Sequence, residues 1–162
     1  MAPHIPEYHK LDTATEVLFY EQEFYVLSNF SSFAVEVDGK LFPTSEHAYH
    51  YAKFKGHAGI AKQILEARSA HQALTLSREY KELINADWWA QNKVPIMLNI
   101  LRHKANQHEY VRRKLLETGD RRLVEDSWRD DFWGWGPNKD GLNMLGVLWE
   151  QVRAVLRLAQ ND

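Results

Sequence analysis

The chain has 162 residues, of which 44% are hydrophobic and 26% charged, a size and balance that suit one compact domain with its own core. A formal net charge of -2 excludes a global basic field for non-specific duplex binding, and the lack of cysteine excludes disulfides, thiolate nucleophiles and cysteine metal sites. No stretch approaches the roughly 20 apolar residues of a membrane span, and Met1 to Thr15 lacks the apolar run of a signal peptide; the composition suits a cytoplasmic protein with no membrane partner.

Residues 1–16 read as an N-terminal arm and 17–162 as the domain. Val17-Leu18-Phe19-Tyr20 is a short apolar run with the character of a buried strand. Leu27 to Phe30 follows a charged turn and reads as loop. Phe33, Val35 and Val37 then alternate with Ala34 and Glu36. Asp38-Gly39 turns this run into Lys40-Leu41-Phe42, a hairpin signature, because glycine accepts positive φ at the turn.

Pro43-Thr44-Ser45-Glu46 opens a helix, with Thr44 or Ser45 as its cap and Glu46 in the first turn, where the dipole favours a carboxylate. The pattern carries this helix to about Lys55 and stops it at Gly56. Further helices are expected at 58–67, at 70–79 with Ser69 as cap, at 88–105 and at 108–118. Pro95 marks a helix start or a kink. A short strand is expected at 122–125. Asp130 to Asn143, rich in Gly, Trp and Asp, reads as an irregular functional loop. A final helix over about 143–158 is expected to bury Leu145, Leu148, Trp149, Val152, Val155 and Leu156. The fold class is α+β: a predominantly helical single domain with a small N-terminal hairpin or sheet.

Four groups of residues carry chemistry. Glu46 and Lys53 lie seven apart on one helix, hence on one face and about 10 Å apart along the axis. The carboxylate suits general acid or base work, and the lysine suits a nucleophile or electrophilic stabiliser. The same two placements also complement the helix dipole. In the loop Asp130-Asp131-Phe132-Trp133-Gly134-Trp135-Gly136, indoles alternate with glycines. That pattern serves a ligand platform, with an acid beside it to bind a hydroxyl or orient water, and equally a Trp-anchored turn. His47, His50 and His57 resemble half a metal site, but no His-Glu-x-x-His motif accompanies them, and hydrogen bonding or ring packing explains them more simply. Arg112-Arg113-Lys114 and Arg121-Arg122 read as solvated helix faces. No metal and no cofactor are expected.

The order Ser28-Asn29-Phe30, Asp38-Gly39-Lys40, Pro43-Thr44-Ser45-Glu46-His47 and Ala52-Lys53-Phe54 resembles the YbiA-like, or NADAR, family. Asp130-x-x-Trp133-Gly134-x-Gly136 followed by Gly141-x-Asn143-x-Leu145-Gly146 is similar to that family's second signature. The likeness spans roughly residues 17 to 157. It implies the α+β, helix-rich YbiA-like fold and cleavage of N-glycosidic bonds. Two substrate classes go with the family: ADP-ribose attached to guanine in a nucleotide or nucleic acid, and ribosylamine intermediates of riboflavin synthesis. The resemblance implies catalytic roles for Glu46, Lys53 and Asp130. It implies substrate contacts for Ser28, Asn29, Phe30, Lys40, His50, Trp133, Gly134, Trp135 and Asn143. His50 stands where the family often has Gln. No obligate protein partner is evident.

An N-glycosidic bond breaks through an oxocarbenium-like state, helped by protonation of the departing nitrogen. Glu46 is expected to move protons and Lys53 to attack the anomeric carbon and form a Schiff base. An imine-forming lysine must be neutral, whereas a free one, with a pKa of about 10.4, is protonated at pH 7. Lys40 is the rival amine. Direct attack by a water that Glu46 and Asp130 activate is the alternative route. Trp133 and Trp135 are expected to stack on base or sugar, and the Asn29 amide suits ribose hydroxyls or a phosphate oxygen. A pocket that holds ADP-ribose or a nucleotide without cleaving it is the non-enzymatic reading.

Overall fold

The structure is a computed structural model that describes residues 12–19 and 22–162. Residues 1–11 of the expected arm, and Tyr20 of the expected first strand, lie outside the described residues. The fold is the expected α+β type, mainly helical with short strands. Its contacts group into two compact units. One spans Asn29–Glu109, and the other joins the described residues up to Ser28 with Tyr110–Asp162.

The Asn29–Glu109 unit starts with the hairpin. Strand β2 (Val35–Val37) pairs antiparallel with β3 (Lys40–Phe42), Val35 opposite Phe42. Asp38 and Gly39 make the turn with φ of 51° and 78°, the double left-handed turn that matches strand twist. Four helices follow: α1 (Ser45–Ala52), α2 (Ala58–Leu65), α3 (Ala70–Glu79) and α4 (Ala86–Gln107). Caps fix three of their starts. Thr44, Ser69 and Asn85 each accept a hydrogen bond from the backbone N–H three residues on. Helix α1 ends at Ala52, earlier than the expected Lys55, with Lys53 as its still-helical cap residue. Helix α4 starts two residues before the expected position, and Pro95 lies in its interior. Phe54, Ala61, Ile64, Ala67 and Ala73 form the core among these helices, flanked by Tyr51, Leu76 and Ile84.

The other unit is discontinuous in sequence. Strand β1 (Glu16–Leu18) pairs in parallel with β4 (Arg122–Val124), Val17 opposite Leu123. A 3-10 helix covers Gln22–Leu27, and α5 spans Glu109–Glu117. Helix α6 (Met144–Gln160) packs on β4 and buries Leu145, Leu148, Trp149 and Val152. The Trp149 indole N–H donates to the Leu27 carbonyl at 2.8 Å. Val155 departs from expectation: it is exposed, and Leu156 is only half-buried. The last turns of α6 face the 118–121 turn, whose carbonyls need donors. Arg153 bonds Thr118 Oγ1 and the Arg121 carbonyl, both at 2.8 Å, and Arg157 reaches the Gly119 carbonyl. Guanidinium groups therefore make the polar contacts between the end of α6 and that turn.

Among the described residues, no helix is long and apolar enough to cross a membrane.

Candidate active site

Helix α1 is built from its first turn. Thr44 is extended (φ -146°, ψ 166°), and its hydroxyl accepts the His47 N–H at 3.2 Å. The Glu46 N–H has no acceptor inside the helix, and the Asn29 carbonyl accepts it at 3.1 Å. One loop residue thus pins the turn that carries the acid. His47 is committed to structure: its ring lies 2.8 Å from Thr44 Oγ1 and 2.9 Å from the Ala67 carbonyl. A carbonyl only accepts, so Nε2 carries the proton and Nδ1 takes the Thr44 hydroxyl.

Glu46 is buried at the start of α1, and its carboxylate meets His50 Nε2 at 2.6 Å. Burial pushes the His50 pKa down. The Glu46 hydrogen bond and charge oppose that effect, and the Lys53 and Arg78 charges add to it. The contact is therefore a neutral imidazole donating to a carboxylate, not a full ion pair. The donated proton sits on Nε2, which leaves Nδ1 as an acceptor.

Three side-chain atoms here are buried without a hydrogen-bond partner among the described residues: His50 Nδ1, Asn29 Oδ1 and Ser45 Oγ. The Asn29 amide nitrogen donates to Met97 Sδ at 3.4 Å. Each unsatisfied buried polar atom costs about 1–3 kcal/mol. Folding alone gives no reason for three of them beside a buried acid.

Lys53 continues the Glu46–His50 face. Its Nζ lies 3.4 Å from Ser77 Oγ, 4.7 Å from the Tyr49 ring centre and 5.6 Å from that of Trp89. The structure thus brings together Asn29, Glu46, His50 and Lys53. Phe30 is exposed in the same unit. Lys40 goes elsewhere. It lines a groove of about 590 Å³ bounded by Ala48, Tyr51 and Ala52, the opposite face of α1.

The remaining expected residues belong to the other unit. Ser28 is buried, and its N–H donates to the Tyr25 carbonyl. Asp130 Oδ1 accepts from the Phe132 and Trp133 N–H groups at 2.9 and 2.8 Å, which organises the loop. Trp133 is half-buried, with its ring edge-on to Phe132 at 4.8 Å. Gly134 is buried, and its carbonyl accepts the Asn143 N–H. Trp135 packs with Leu18 and Val124, and its indole N–H bonds Asp126 at 2.8 Å. Asn143, left-handed at φ 49°, ties the loop to β4. Its amide donates to the Leu123 carbonyl and accepts the Glu125 N–H.

Sequence reasoning missed Ser45, Tyr49, Ser77 and Trp89. Tyr49 was legible from its three-residue step from Glu46. Ser77 and Trp89 reach Lys53 from other helices, and no local spacing signals that.

The NADAR domain family model matches residues 18–157. The chain belongs to the NADAR domain family. A Nostoc punctiforme protein named an N-glycosidase is 37% identical over 145 residues, which covers 87% of this chain and 92% of that protein. A riboflavin biosynthesis protein of Vibrio vulnificus is also 37% identical, over 143 residues; the match covers 87% of this chain but only 38% of that longer protein. The NMR structure of Escherichia coli YbiA superposes with a TM-score of 0.82 at 31% identity, covering 91% of this chain and 88% of that one. Within this NADAR chain, the first signature gathers the Asn29–Glu46–His50–Lys53 cluster. The second is the scaffold of the 130–143 loop.

Proposed function

We propose that this NADAR chain is an N-glycosidase that removes ADP-ribose from guanine bases of nucleic acid. Glu46 relays protons and Lys53 forms a Schiff base. The observation that carries the reading is the buried Glu46–His50 pair on one helix face with Lys53, with unsatisfied buried atoms on His50 and on the adjoining Ser45 and Asn29. A carboxylate, His50 Nδ1 and Asn29 Oδ1 all ask for donors, and a sugar rich in hydroxyls supplies them.

The proposed chemistry moves one proton from the Lys53 ammonium to the Glu46 carboxylate and on to the departing nitrogen. The C1′–N electrons leave with the base, and the freed Lys53 amine bonds to C1′. A second Nζ proton passes to the ring oxygen as the C1′–O4′ bond opens, giving an iminium. Water hydrolyses the iminium to ADP-ribose and restores the lysine. The Tyr49 and Trp89 faces stabilise the resting ammonium, so proton removal is part of the step. Lys40, on the opposite face of α1, is not the amine in this scheme.

A second reading draws on the name of the Vibrio relative: the same cluster hydrolyses a ribosylamine intermediate of riboflavin synthesis.

The test is intact-mass analysis of the protein incubated with an oligonucleotide bearing ADP-ribosyl guanine, with and without borohydride. Release of ADP-ribose is expected, with a reduced adduct that Lys53→Ala loses and Lys40→Ala keeps. Glu46→Gln should abolish release. Release without an adduct would favour direct water attack. No release from the oligonucleotide, with turnover of a ribosylamine, would select the second reading. Thermal stabilisation by ADP-ribose with neither turnover would leave a binding module.

A further inference from the structure

The Glu46 face of α1 is only half of what that helix presents. On the other face lies the groove of about 590 Å³, between the hairpin, α1 and α4. Its floor is small and apolar at Ala48, Ala52 and Ala61, which is what leaves the space. Its volume is of the size that accepts a drug-sized or nucleotide-sized ligand.

The polar and aromatic groups are placed unevenly around it. Trp88 lines one side, with Lys55 Nζ 5.3 Å from its ring centre. Lys40 comes from the hairpin, and Asp38 is the one carboxylate of the lining. Trp88 and Trp89 are adjacent at the start of α4, with ring centres 6.2 Å apart and planes at 37°. Trp89 turns to Tyr49 and Lys53, whereas Trp88 turns to the groove. The two indoles thus form a ridge from the candidate catalytic face to the groove, with a lysine over each ring. Aromatic faces interleaved with cations are the chemistry that holds stacked bases and their phosphates.

We propose that this groove is a subsite for single-stranded nucleic acid, holding a nucleotide that flanks the one being cleaved. The base stacks on Trp88 and displaces the Lys55 ammonium from that ring. Lys55 and Lys40 then meet the adjoining phosphates. The subsite rests on the nucleic-acid reading of the catalytic face. A net charge of -2 fits a short contact of one or two phosphates and not a long basic track. The groove has room for one unstacked base, which a single strand offers and a duplex, with its bases paired and stacked, does not.

The test is fluorescence anisotropy of a labelled, unmodified single-stranded oligonucleotide and of its duplex. The proteins are the full chain, Trp88→Ala, Lys55→Glu, and Lys62→Glu as a charge-reversal control on the exposed surface of α2. Loss of one base stack is expected to weaken single-strand binding by roughly 5- to 150-fold in Trp88→Ala. Two phosphate contacts predict that raising salt from 50 to 200 mM weakens wild-type binding by about 7-fold, with a shallower dependence in Lys55→Glu. Lys62→Glu should bind as wild type does. For turnover, Lys55→Glu should raise KM for a modified oligonucleotide by a larger factor than it raises KM for a modified mononucleotide, which does not reach the subsite. Equal affinity for duplex and single strand would overturn the subsite, as would equal losses in Lys55→Glu and Lys62→Glu. Thermal melts identify a Trp88→Ala protein that is merely unfolded, and Lys55→Glu then decides. Single-strand binding without any release of ADP-ribose from the modified oligonucleotide would retain the subsite and discard the ADP-ribosyl-guanine reading; release with unaltered binding in Lys55→Glu would do the reverse.

Discussion

Lys104 offers a quantitative test of the interior of the Asn29–Glu109 unit. It is fully buried on α4, its Nζ donates to Ser31 Oγ at 2.8 Å, and it lies 5.5 Å from the Phe33 ring centre. Burial pushes its pKa from 10.5 down to about 7. Between those values the unfolded chain binds a proton that the folded chain does not, so stability rises with pH across that window and is lowest below pH 7. The full shift of 10.5 to about 7 sets a ceiling of about 5 kcal/mol on the penalty of folding around the cation. Replacing Lys104 by Met removes the charge and shortens the side chain by one heavy atom, and it loses the Ser31 hydrogen bond and the ring contact, at about 1 kcal/mol each. Lys104→Met should therefore be about 2–3 kcal/mol more stable than wild type at pH 7. The wild type should recover about 2 kcal/mol of that difference between pH 7 and pH 9. Urea unfolding of both proteins at pH 6, 7, 8 and 9 measures it. Parallel stability curves would refute the argument, because they would mean that the ammonium is equally solvated in folded and unfolded chains.

His50 gives a second pH signature. Burial lowers its pKa below 6.5, so the unfolded chain takes up a proton first, and wild-type stability should fall as pH drops from 6.5 toward the folded value, by at most about 1.4 kcal/mol per pH unit; unfolding curves of His50→Gln should lack that component. Asp130→Asn retains the oxygen that accepts the Phe132 and Trp133 N–H groups. It should keep the wild-type melting temperature and most of kcat if Asp130 organises the loop, and a large loss of kcat on an intact fold would instead show that the carboxylate acts on water. A Cβ at Gly146 would collide with the Leu123 carbonyl and meet Asn143 Nδ2. Gly146→Ala should lose about 1–3 kcal/mol by prising α6 from β4, and an unchanged denaturation midpoint would contradict that packing.

What the sequence alone determined is local. The Asp38-Gly39 turn, the Thr44 and Ser69 caps and the 70–79 helix depend on residues a few positions apart, and all stand as read. The face shared by Glu46, His50 and Lys53 follows from helical spacing in the same way. Tertiary structure decided the rest. Val17 and Leu18 read as a buried strand, but their parallel partner, Leu123 and Val124, lies more than a hundred residues away. Apolar spacing put Val155 in the core, whereas the fold leaves it exposed and uses Arg153 and Arg157 at that end of α6 to donate to carbonyls of the 118–121 turn. Trp135 reads as a stacking platform in sequence and is packed against Leu18 and Val124 in the fold. Lys40 and Lys53 are alike as residue types, and only the packing of the hairpin and of α3 and α4 around α1 sends them to opposite faces. The physical reason is common to all of these. Turns, caps and helix faces are set by steric and hydrogen-bonding rules over one or two turns of chain, whereas burial, unsatisfied acceptors and pKa shifts depend on which distant groups exclude water from a side chain.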